Sequence, residues 1–137
     1  MTRKSDNFVE LGDRTKLANN LNADLFVSIH VNAHKEDDNI GSETYVSPGS
    51  SKASLRLATE VQNYLVNKLN TFDRGVKQGN LYVLNHTHMP AILAEIAFIS
   101  NKKEEKLLMQ DQFKTKAARA LYEGISKYFD SLSEEEF

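Results

Sequence analysis

Glu95 is the only charged residue in the run Ala91-Ile-Leu-Ala-Glu-Ile-Ala-Phe-Ile99. An ionised carboxylate is costly in such a setting unless it has a partner. Two readings follow: a general acid or base tuned by burial and a nearby cation or metal, or a structural ion pair with a Lys or Arg of a neighbouring helix. His30 lies near the end of Asp24-Leu-Phe-Val-Ser-Ile-His-Val-Asn32. The carboxyl ends of strands are where ligands gather in open α/β sheets, and neutral imidazole is a common zinc ligand. The plainer alternative is a hydrogen-bonded histidine at a polar sheet edge. His86 and His88 would share a face if extended and could chelate a metal, or could simply be solvated ahead of Met89-Pro90. His34 falls in a charged loop and reads as exposed. Arg74-Gly-Val-Lys-Gln78 is a basic turn able to hold a carboxylate or sugar hydroxyls, or else an ordinary connection. Asn32, Arg74 and Lys77 are the candidates for contacting substrate. Ser28 sits in no Gly-x-Ser-x-Gly motif, so serine hydrolysis is not expected.

The elements that must position these groups can be read from periodicity. Residues 11–22 form a short amphipathic helix with Leu11, Ala18 and Leu21 on one side. A strand over 24–32 puts Leu25, Val27, Ile29 and Val31 on one face and Phe26, Ser28, His30 and Asn32 on the other. A second strand covers 41–47 and stops at Pro48-Gly-Ser50. Leu55, Ala58, Val61, Gln62, Leu65 and Leu69 fall at helical spacing, with Ser51 or Ser54 as cap. Residues 70–80 read as a loop and 81–84 as a short strand. The run 91–99, apolar on both faces, is what a central parallel strand shows. Asn101 caps a helix over 102–109, and a last helix over about 112–129 carries Phe113, Ala117, Leu121, Ile125 and Tyr128 on one stripe. Strands alternating with helices predict an α/β fold: a three-layer, mixed, mostly parallel sheet flanked by helices.

The chain has 137 residues, which suits one domain. That domain is expected over residues 1–130, followed by an acidic tail over 131–137. Seventeen Lys and Arg against nineteen Asp and Glu give a net charge of −2, so there is no basic field for nucleic acid or an anionic membrane surface. No apolar run approaches the length of a membrane span. With no cysteine, any metal must sit on His, Asp or Glu. Residues 1–6 have no apolar core of the kind a secretory signal needs, so no signal peptide is expected there.

Several motifs occur in order: Thr2-Arg3, Asp6 with Phe8 and Leu11, Arg14, Ala18-Asn19, Ala23 to Ala33, Gly41-Ser-Glu-Thr-Tyr45, Asp73-Arg-Gly-Val-Lys77, Leu81-Tyr-Val-Leu84, Met89-Pro90 and Glu95-Ile-Ala-Phe-Ile-Ser-Asn101. Together they resemble the catalytic domain of the zinc-dependent N-acetylmuramoyl-L-alanine amidases of the amidase-3 family, over nearly the whole chain to about Tyr128. The resemblance implies a peptidoglycan hydrolase in which one zinc ion polarises the amide between N-acetylmuramic acid and the L-alanine of the stem peptide and activates a water. By the same resemblance His30 is a zinc ligand and Glu95 the catalytic glutamate. Family members carry two further zinc ligands, a histidine in an Asp-Pro-Gly-His-Gly-type motif and a later glutamate, both ahead of the position of Thr2. The expectation is therefore an N-terminally truncated domain without its first strand and helix, and with an incomplete zinc site. An unpaired sheet edge would follow, giving either a dimer through that edge or marginal stability. The alternative function is a non-catalytic peptidoglycan-binding or regulatory remnant. The substrate implies action outside the cell, at the wall.

Overall fold

The computed structural model describes residues 1–135. In chain order its elements are α1 (Leu11–Asn20), β1 (Phe26–Asn32), β2 (Ser42–Val46), α2 (Lys52–Leu69), β3 (Asp73–Gln78), α3 (Tyr82–Asn85), β4 (Ala91–Phe98), α4 (Lys102–Leu108) and α5 (Asp111–Glu135). The strands form one sheet in the order β1-β4-β2-β3. β1 runs parallel to β4 and β2 parallel to β3, while β2 and β4 are antiparallel. The expected mixed, mostly parallel α/β sheet is what forms, with helices on both faces.

One face packs against α2 and α5. Val46, Ile92, Ala94 and Ile96 from the sheet meet Leu57, Val61 and Leu65 of α2 and Phe113, Ala117, Leu121 and Tyr128 of α5. Leu57, Leu65 and Ile92 are fully buried, each contributing about 1.5–3 kcal/mol relative to exposure. The two helices touch closely at Gly124, where a Cβ would lie 2.8 Å from the Val61 Cα. The other face is smaller: Phe26, Ala91 and Leu93 pack with Ala18, Val83 and Leu84 beneath α1 and α3. That second cover ends short of the carboxyl half of β1, which leaves His30 open to solvent.

Local signals account for the helix starts. The Ser51 Oγ accepts from the Ser54 amide, and Asn101 Oδ1 accepts from the amides of Lys103 and Glu104. Glu104, in the first turn of α4, is buried and bridges two strands: its carboxylate accepts from the amides of Gly41 at 2.8 Å and Phe98 at 2.6 Å.

Three expectations need correction. The stretch read as a loop over 70–80 contains β3, which pairs with β2 from Ser42↔Asp73 to Val46↔Gln78. The stretch read as a strand over 81–84 begins the four-residue helix α3; a short run of Tyr, Val and Leu does not fix its own period. The stretch read as a tail from 131 stays helical in α5 as far as Glu135, and residues 136–137 lie outside the described residues.

Candidate active site

Strand register builds the site. His30 of β1 stands opposite Glu95 of β4, and Glu95 stands opposite Glu43 of β2. Opposed residues in a sheet project to the same face, so imidazole, carboxyl and second carboxylate form a row across three adjacent strands. Beyond that row the ladder shifts, and Asn32 pairs with Phe98. The irregularity turns the Phe98 ring to the site side, where the Arg74 guanidinium lies 4.9 Å from its centroid.

Glu43 is the most completely engaged group. It is 2% exposed. Its Oε1 accepts from Asn32 Nδ2 at 2.8 Å and from the Tyr45 hydroxyl at 2.7 Å. Its Oε2 accepts from Arg74 Nε at 2.8 Å and from the Lys77 ammonium. Burial works against ionising this carboxyl, but donation from Lys77, Arg74 and Tyr45 outweighs it and holds the pKa below the ordinary range. The same surroundings push the Tyr45 hydroxyl up to about 12, through burial first and then its bond to Glu43.

Glu95 is in the opposite condition. Its Oε2 is buried and has no hydrogen-bond partner among the described residues. Burial, then the Glu43 charge one strand away, raises its pKa from 4.5 to about 7. A carboxyl poised there can both accept and donate a proton near neutrality. His30 Nε2 lies 2.9 Å from the Ser28 Oγ. Desolvation on burial, then the charges of Arg14 and Arg3, lower its pKa, which favours the neutral imidazole, the form able to ligate a metal.

The sequence-predicted residues therefore meet. His30, Asn32, Arg74, Lys77 and Glu95 are gathered on one face, and among the described residues Glu95 has no ion pair with a Lys or Arg. The missed residue is Glu43, whose only sequence signal was an acid alternating with Tyr45 in a strand. His86 and His88 are not brought to this row. They precede β4, at the end opposite the site, where His86 stacks on Tyr82 with ring centroids 3.9 Å apart and the His88 amide donates to Asn19. The His34 ring accepts from the Glu36 amide of its own loop, and its backbone amide donates to the Ser100 hydroxyl. Among the described residues no group of three or more His, Asp or Glu is placed to hold a metal ion.

A family described as N-acetylmuramoyl-L-alanine amidase matches residues 1–127. The chain is 42% identical over 130 residues to the uncharacterized protein YqiI of Bacillus subtilis, covering 94% of this chain and 63% of the relative. It is 41% identical over 130 residues to the N-acetylmuramoyl-L-alanine amidase LytC of the same organism, covering 94% of this chain and 26% of that one. The chain thus spans less than two thirds of the length of these curated relatives. Among solved structures it is similar to an N-acetylmuramoyl-L-alanine amidase from Clostridium difficile 630, with a TM-score of 0.91 and 36% identity over 94% of this chain and 70% of that chain.

Proposed function

This chain belongs to the N-acetylmuramoyl-L-alanine amidase family, and from that premise we propose that its site serves hydrolysis of the amide joining N-acetylmuramic acid to the L-alanine of the peptidoglycan stem peptide. The observation that carries the reading is Glu95, a buried, unpartnered carboxyl with a pKa raised to about 7, in register with His30. Ionised Glu95 takes a proton from the attacking water as its oxygen bonds to the carbonyl carbon. It returns the proton to the L-alanine nitrogen as the C–N bond breaks. Asn32, Arg74 and Lys77, fixed on Glu43, face the substrate. The substrate places this action at the cell wall, outside the cell.

Zinc is the cofactor implied by the family resemblance, and His30 is the ligand this chain offers it. A catalytic zinc takes three protein ligands and a water, whereas the described residues place one imidazole beside one carboxyl and no group of three donors. These donors alone do not fit a zinc site. That shortfall favours a second reading, retention of peptidoglycan without cleavage. We also propose association through the outer edge of β1, which among the described residues pairs only with β4 and carries Ile29 and Val31 at 59% and 46% exposure.

Purified peptidoglycan, incubated with the chain and zinc, separates the two functions. Cleavage predicts new L-alanine amino termini, reduced about a hundredfold or more in Glu95→Gln. Retention on the insoluble wall with no new termini would establish the second reading, and no retention would overturn both.

A further inference from the structure

We propose that Arg74 and Lys77, anchored by Glu43, form a carboxylate-binding wall that recognises an acidic group of the stem peptide alongside the scissile amide. The inference deepens the proposed function and rests on it for the substrate.

Charge balance is the first argument. Two cations converge on one carboxylate, and while Glu95 across from it keeps its proton, one of them would suffice to neutralise it. The surplus positive charge is also placed unevenly. The Glu43 side chain is 3% exposed, whereas those of Arg74 and Lys77 are 25% and 37% exposed. The water-facing side of the cluster is therefore cationic, with its anion behind it.

The second argument is hydrogen-bonding capacity. Both Glu43 oxygens already accept two bonds each, so it can take no more from its cations. An ammonium has three N–H donors and a guanidinium five. Lys77 directs one donor to Glu43, and Arg74 directs Nε there and Nη1 to the Ile40 carbonyl at 3.4 Å. Donors remain on both. The Phe98 ring, its centroid 4.9 Å from the guanidinium carbon, and the bonds to Glu43 and the Ile40 carbonyl hold Arg74 in place, the preorganisation that carboxylate recognition requires. Glu43 lies directly across from Glu95, so an acidic group held on this wall sits next to the reacting position.

The test is binding, read by calorimetry on the full chain, and does not require turnover. The probes are a soluble N-acetylmuramoyl peptide with free carboxylates and the same molecule with those carboxylates converted to carboxamides. Charge-assisted hydrogen bonds of this kind predict about tenfold or more tighter binding of the acidic form, with the preference reduced below about twofold in Lys77→Met. Lys68→Met, which removes a cation paired with Glu123 on the helical side, keeps the preference. Equal binding of both probes by the unaltered chain overturns the wall while leaving the muropeptide reading intact. Failure to bind either probe overturns both. If Lys77→Met does not fold, the comparison of probes on the unaltered chain still decides.

Discussion

Replacing Glu95 with Gln is expected to stabilise the folded chain above neutral pH and to leave its stability unchanged in acid. Burial and the Glu43 charge lift this carboxyl from 4.5 to about 7. Below pH 4.5 it is protonated in folded and unfolded chains alike and contributes no pH dependence. Between 4.5 and about 7 the unfolded chain ionises while the folded chain keeps its proton, so stability falls as pH rises. Above about 7 both states are ionised and the loss is complete. At about 1.4 kcal/mol per tenfold change in proton affinity, the full rise corresponds to roughly 3 kcal/mol. Solvent reaching the partly open carboxyl screens part of that, leaving roughly 1–2 kcal/mol. Urea unfolding of both proteins at about pH 4, 6 and 8, with chelator present, reads the effect. The curves should coincide in acid and diverge towards alkaline pH, with Gln the more stable. Parallel profiles across the range would refute the argument that Glu95 is held protonated by its surroundings.

Four other outcomes follow from the structure. After equilibration with zinc and gel filtration, elemental mass spectrometry should find well under one zinc per chain, and chelator should leave the melting temperature unchanged; a full equivalent lost in His30→Ala would reveal donors beyond those described. Glu104→Ala should cost about 3 kcal/mol in chemical unfolding, because it leaves the amides of Gly41 and Phe98 without their acceptor, and a change below about 0.5 kcal/mol would remove its bridging role. Gly124→Ala should destabilise by about 1–3 kcal/mol, since its Cβ meets backbone atoms of α2 rather than a yielding side chain; an unchanged melting temperature would show that the helices separate freely. Sedimentation at increasing concentration should show dimers that Ile29→Lys disperses, and a single monomeric species throughout would dismiss association through β1.

The sequence made legible what rests on strong period or on chemistry out of place. The stripes of α2 and α5 and the apolar run of β4 reported their faces because each buries a continuous surface, whereas the alternation in β1 reported the strand although its Ile29 and Val31 stay exposed. Glu95 was conspicuous because a charge interrupts that run, and His30 because it ends an alternating strand. β3 was hidden because its residues Asp73–Gln78 are mostly polar: Arg74 and Lys77 answer to Glu43 and Asp73 to Gln62, and Val76 alone packs against the apolar layer. Glu43 was hidden for the converse reason. A Glu between Ser42 and Thr44 looks like a solvent-facing position until the sheet brings it Arg74 and Lys77 from adjacent β3 and Asn32 from β1, beyond β4. Glu104 and Gln62 share this property: Gln62 Nε2 donates to the Ser42 carbonyl and to Asp73. Partners distant in the chain leave no periodic trace.

The strand order has a kinetic consequence. β1 and β2 are neighbours in the chain but not in the sheet, and β4 inserts between them after most of the chain has passed. His30 and Glu43 therefore flank a gap until Glu95 arrives, and the row exists only once the most sequence-distant pairings have closed. Such pairings carry the largest loop-closure entropy and form slowly. The row of His30, Glu95 and Glu43 is thus assembled only when β4 docks, and a chain in which β4 has not yet docked carries these three residues without bringing them together.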